Sequence, residues 1–105
     1  MIVVSVMYPN NEGCTFDMPY YRDTHMRLVR DLIGPALKGL RAEQGIGGGA
    51  PGSPPQYIAL GHLMFDSVEA AGLALQAHAP ALMGDIPNFT NVQPVIQFSE
   101  ITLDS

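Results

Sequence analysis

Two stretches, Ile2 to Tyr8 and Gln56 to Phe65, are apolar at nearly every position, and few folds accommodate that. A strand with one wet face alternates apolar and polar residues, whereas one buried on both sides reads as a continuous apolar run. The first stretch is broken only by Ser5 and ends at the turn signal Pro9-Asn10-Asn11. The second is interrupted only by Gly61 and His62 after its opening residues. Lys38 to Gln44 and Val92 to Thr102 read as two more polar strands, and Pro94 marks the latter as an edge or a bulge. The apolar pair therefore belongs at the centre of a sheet and the polar pair at its edges.

Two helical patterns separate these strands. Asp17 supplies an N-cap and Pro19 suits the first turn. At about 100° per residue, Met18, Tyr21, His25, Leu28, Val29 and Leu32 then share roughly one third of the circumference. Gly34-Pro35 stops this helix. The second starts at the capping-box-like Asp66-Ser67-Val68-Glu69 and carries a small-residue stripe of Val68, Ala71, Gly72, Leu75 and Ala79. Pro80 is expected to interrupt it, with Ala81 to Gly84 adding one more turn. The order is βαββαβ, the ferredoxin-like arrangement of the α+β class. It predicts one domain over residues 1–105, with a four-stranded antiparallel sheet in the order 4-1-3-2 and both helices on one face.

Two helices cover only one side of such a sheet. Ala59, Gly61, Leu63 and Phe65 include the small residues that suit helix packing, so Ile58, Leu60, His62 and Met64 look the other way. Burying an apolar side chain is worth about 1.5–3 kcal/mol. An uncovered face of this kind marks an interface, and a two-fold homodimer closing sheet on sheet is the expectation. The alternative is a monomer with an open ligand groove.

Charge and motifs narrow the function. All five basic residues, Arg22, Arg27, Arg30, Lys38 and Arg41, fall in one twenty-residue window, and none follows Arg41. No stripe of cations exists to track a phosphate backbone, which excludes a nucleic-acid partner. No segment approaches the length of about eighteen apolar residues needed for a membrane span, and the start lacks a basic leader region. With the single Cys14 excluding an internal disulfide, a cytoplasmic protein is expected. The Gly45 to Pro55 loop lacks the GK[ST] ending of a phosphate-binding loop. Three histidines without HxH or HExxH spacing give no metal site, and no cofactor motif is present.

His62 is the first candidate for proton transfer, an imidazole on the open face of the third strand beside Leu60 and Met64. Its bland alternative is a histidine at the dimer seam. Ser5 and Met7 share the same inferred face. His25 sits centrally on the apolar stripe of the first helix. It is either a general acid/base or a core histidine satisfied by a backbone carbonyl or by a carboxylate such as Asp85. The phenols of Tyr20, Tyr21 and Tyr57 are candidates for orienting a ligand, although Tyr21 reads more simply as core. His78 is structural or exposed, and the lack of GxSxG argues against hydrolysis.

The segment Tyr20-Tyr21-Arg22-Asp23-Thr24-His25-Met26-Arg27-Leu28-Val29 resembles the YYxxxHxxL signature of the EthD family, named for ethyl tert-butyl ether degradation. Phe65-Asp66-Ser67 and Met83-Gly84-Asp85-Ile86-Pro87-Asn88 are similar to that family as well. The resemblance implies a dimeric α+β barrel and a place in an ether-catabolic operon beside a cytochrome P450 system. It does not supply the chemistry. A cofactor-free oxidoreductase, isomerase or cyclase acting on a hydrophobic, oxygen-bearing molecule is one reading. A non-catalytic protein holding a ligand for the P450 system is another, and a purely structural dimer is the third. The expected site has His62 and His25 as catalytic residues, with Ser5, Met7, Tyr20, Tyr57, Leu60 and Met64 touching the ligand.

Overall fold

The computed structural model describes residues 1–105. Strand β1 (Ile2–Pro9) leads to helix α1, which is α-helical over Met18–Tyr20, widens to π-helical turns over Tyr21–His25, and is α-helical again over Met26–Ile33. Strands β2 (Gly39–Gln44) and β3 (Tyr57–Phe65), helix α2 (Val68–Asp85) and strand β4 (Val95–Glu100) follow. The sheet runs β2-β3-β1-β4 with every neighbouring pair antiparallel, which is the expected order read from its other edge. The outer strand β4 is shorter than its sequence pattern. Pro94 has no N–H for a ladder, and the Thr90 hydroxyl holds the chain before it by donating to the Thr15 carbonyl and accepting from the Val92 N–H.

Alternation sorts the two faces as the sequence implies. Ile2, Val4 and Tyr8 of β1, with Ala59, Gly61, Leu63 and Phe65 of β3, are buried under the helices. Ser5, Met7, Leu60, His62 and Met64 are only half-buried on the other side. The molecule measures 39 × 34 × 19 Å. Its least dimension fits one sheet and one helix layer, because packed layers lie about 10 Å apart. Nothing in the chain covers the second face of the sheet. No helix is long and apolar enough to cross a membrane.

Both helices depart from their sequence patterns. The Asp17 carboxylate caps α1 by accepting from the Tyr20 N–H, as expected. The Met26 N–H then bonds the Tyr21 carbonyl, five residues back, and the wider turn slips the helix phase. Tyr21, His25 and Val29 keep the inward positions, but Met26 and Ile33 are buried where Leu28 and Leu32 are half-buried. Helix α2 runs unbroken through Pro80, contrary to the expected interruption. Pro80 lies on the exposed face, so its ring meets no neighbouring layer. Ala71, Ala74 and Leu82 on the buried face hold the helix across the bond that proline cannot donate.

Candidate functional site

Between the helices and the covered face of the sheet lies a cavity of about 440 Å³, lined by sixteen residues of which thirteen are hydrophobic. Its floor is Val6 and Tyr8 of β1, Leu63 of β3, and Ile96 and Phe98 of β4. Tyr21, His25, Met26 and Val29 of α1 form one wall, and Leu75, Ala79 and Leu82 of α2 form another. That size suits a small organic ligand, for which cavities of about 300–1,000 Å³ are usual.

Gln76 is the polar side chain on the α2 side, and His25 is the polar residue of the α1 wall, 5% exposed. Its Nδ1 lies 2.9 Å from Asp85 Oδ2. The other oxygen, Asp85 Oδ1, accepts from the Tyr20 hydroxyl at 2.8 Å and from the Asn88 side-chain amide at 2.9 Å. Burial pushes the Asp85 carboxyl up, but hydrogen bonds from His25, Asn88 and Tyr20 outweigh it and hold the group below the ordinary carboxylate range. An ionised carboxylate only accepts, so Nδ1 donates to it, and in the neutral tautomer that this pairing selects Nε2 is the lone-pair nitrogen. The ring is fixed against Tyr21, with centroids 5.7 Å apart and planes 17° apart, and against Phe89 at 4.7 Å. Nε2 has no protein partner, and no polar side-chain atom of the chain is both sealed from solvent and unpaired. Nε2 therefore opens on the cavity that the ring lines.

This network sets a pH dependence. A carboxyl held below its unfolded value adds stability above the unfolded carboxyl range, near pH 4, and that stability is lost as pH falls through the folded value. Asp85→Asn is expected to lower unfolding free energy at pH 7 by about 2 kcal/mol, the scale of hydrogen bonds to a charged group. The gap to the wild type should narrow at pH 3. Denaturant titrations at the two pH values check this, and a gap that stays constant would show that the Asp85 charge is not what stabilises the site.

A second polar group lies on the uncovered face. Register places Ser5 opposite His62, and His62 opposite Arg41. His62 Nε2 lies 3.1 Å from Glu43 Oε1, and its Nδ1 lies 3.1 Å from the Ser5 hydroxyl. The Glu43 carboxylate accepts from Nε2–H, and in that neutral tautomer the Ser5 hydroxyl donates to Nδ1. Arg41 approaches the other Glu43 oxygen at 3.8 Å. Serine, histidine and carboxylate are thus connected, but β1 is paired on both sides and leaves no free backbone N–H at Ser5 for an oxyanion. Both nitrogens of His62 are engaged. No three His, Cys, Asp or Glu side chains converge to hold a metal ion.

Residues 16–93 match the EthD domain. The chain belongs to the EthD family. An EthD-like protein from Ralstonia eutropha JMP134 is 39% identical, with the match covering 99% of this chain and 94% of that one at a TM-score of 0.93. An EthD family protein from Bacillus halodurans C-125 is 20% identical over 97% of this chain and 99% of that one, with a TM-score of 0.73. HapK from Hahella chejuensis shares the fold at 10% identity and a TM-score of 0.61, covering 100% of this chain and 97% of that one. No curated protein gives a significant match.

In this EthD chain, two of the blocks that carry the family resemblance meet at one place. Tyr20, Tyr21 and His25 come from the first and Asp85 and Asn88 from the other. Of the eight residues of the expected site, His25 alone lines the cavity. Tyr20 stands behind it on Asp85. Ser5, Met7, Leu60, His62 and Met64 gather on the opposite face of the sheet, and Tyr57 begins β3 beside the glycine-rich loop. Tyr21, a candidate that reads more simply as core, lines the cavity, and so does Tyr8, which the sequence did not single out. Alternation along β1 was the available signal, since it puts Tyr8 on the same face as Val4 and Val6.

Proposed function

We propose that this EthD-family protein binds a small hydrophobic, oxygen-bearing compound between its helices and its sheet, and that His25 Nε2 moves a proton on it. The observation that carries this reading is the His25 ring, fixed at Nδ1 by an ionised Asp85 and open at Nε2 to an apolar cavity. Asp85 sets the tautomer, and Tyr20 and Asn88 keep Asp85 in place. The setting is oxidative, ether-type catabolism in the cytoplasm, beside a cytochrome P450 system. The test is incubation of the purified protein with intermediates of such a route, following binding and product formation separately. His25→Gln is expected to bind normally and to turn over about 10²–10⁴-fold more slowly, the usual loss of a general acid/base. Full turnover by that variant would remove His25 from the chemistry. Binding without turnover by the wild type would favour a non-catalytic protein that holds the ligand for the P450 system.

The working form in this reading is a homodimer joined through the uncovered sheet face. A molecule 19 Å thick with Met7, Leu60, Met64 and Val95 outside its only helix layer supports it. A second reading places proton transfer at His62, in a chamber between the two sheets walled by Ser5, Met7, Leu60 and Met64, with Tyr57 near the end of its strand. The Ser5–His62–Glu43 relay favours it. Loss of turnover in His62→Gln with His25→Gln unaffected would select it.

A further inference from the structure

We propose that the hydroxyls of Tyr8 and Tyr21 form a two-donor site for the oxygen of a carbonyl compound, whose adjacent C–H is the proton that His25 removes. This rests on the reading of His25 as the base and adds the substrate class. Each tyrosine is 1% exposed, and the two rings meet edge to face with centroids 5.6 Å apart. Neither hydroxyl bonds to another protein group. Buried polar groups are ordinarily paired, and no side-chain oxygen or nitrogen of this chain is both sealed and unpaired. The sliver of surface left to each tyrosine is therefore its hydroxyl, and the open space that both residues line is the cavity holding His25.

The backbone is shaped to admit one of them. A Cβ on Gly61 would collide with the Tyr21 hydroxyl and would press Met26 Cε at 3.3 Å. Burial, and then the charge of a neighbouring Tyr8 phenolate, push Tyr21 up, and burial pushes Tyr8 up. Both remain neutral donors through the physiological range.

Two neutral O–H donors, one imine nitrogen and the amide of Gln76, with no Lys or Arg in the wall, do not suit a carboxylate or a phosphate. They suit an oxygen that is neutral in the substrate and becomes negative during reaction. His25 Nε2 takes the proton from the carbon beside the carbonyl, and the C–H electron pair becomes a carbon–carbon double bond. The carbonyl π pair moves to oxygen, where the two hydroxyls hold the enolate. Return of the proton to the same carbon gives exchange, and return to a conjugated carbon gives isomerisation. No oxidant or reductant enters.

The test compares 2-tetralone with tetralin, the same bicyclic skeleton without the carbonyl. In the wild type, binding of both is expected, with exchange at C1 of 2-tetralone in D2O well above the buffer rate by NMR. The Tyr8→Phe/Tyr21→Phe double variant is expected to bind tetralin unchanged, which also reports that it folds. Its affinity for 2-tetralone relative to tetralin should fall about tenfold or more, and its exchange rate about 100-fold or more. An unchanged ratio and rate in the double variant would overturn the hydroxyl site while leaving the cavity and His25 intact. Wild-type exchange that persists in His25→Gln would overturn the base instead. Failure of the wild type to bind either compound would overturn both.

Discussion

Valine at Gly61 is expected to lower the unfolding free energy by about 3 kcal/mol, at the upper end of what overpacking usually costs. For a domain near this size, that is a fall of about 12–24 °C in melting temperature. The side chain would point into the covered face of β3, where the first added carbon already strikes the Tyr21 hydroxyl and crowds Met26. Tyr21 cannot retreat, because it is 1% exposed and packed against Tyr8, Phe16, His25 and Phe89. The β-propensity gained by valine is at most about 1 kcal/mol and does not offset this. Gly72→Val is the matched control. A Cβ there meets nothing within 4 Å, and Gly72 lies in the cavity wall. That variant is expected to melt within a few degrees of the wild type and to bind ligands less well, because its methyls enter the cavity. Thermal melts of the two proteins settle the matter, and equal melting temperatures would mean that Tyr21 is not held as described.

The contrast between these glycines shows what the sequence could and could not reveal. Strand order was legible because β1 and β3 are apolar on both faces, and only central strands tolerate that. The start of α1 was legible because an aspartate cap is a local signal, and the His25–Asp85 pairing was one of the alternatives that a buried imidazole requires. The π-helical turns were not legible. A wheel at a fixed angle assumes one hydrogen-bond spacing, and the Met26-to-Tyr21 bond changes it, so the wheel gives Leu28 and Leu32 the places that Met26 and Ile33 hold. The small residues of β3 suggested close helix packing, whereas Gly61 makes room for one phenol hydroxyl. The cavity was illegible for a related reason. Empty volume is what remains after Gly72, Leu75 and Ala79 face Tyr8 and Tyr21 across two layers, and no single segment encodes that difference.

The uncovered face leads to the other large effect. Wild-type protein is expected to sediment as a two-chain particle and Met7→Glu as a single chain. Met7 lies on central β1, opposite Leu60 on one side and Val95 on the other, so a carboxylate there sits within an apolar surface. In a free chain it stays in water and costs little. In a sheet-on-sheet dimer it must be desolvated without a partner, at several kcal/mol, and two-fold symmetry repeats the penalty. At about 1.4 kcal/mol per factor of ten, the dissociation constant should rise by about 10³ or more. Met7→Leu is expected to remain paired. Sedimentation of the wild type as a compact single chain at micromolar concentration would dismiss the interface, and the chamber around His62 with it. The cavity at His25 lies on the far side of the sheet, so a Met7→Glu monomer is expected to keep its ligand. Retained binding in that monomer would separate what the second copy does for stability from what each chain does alone.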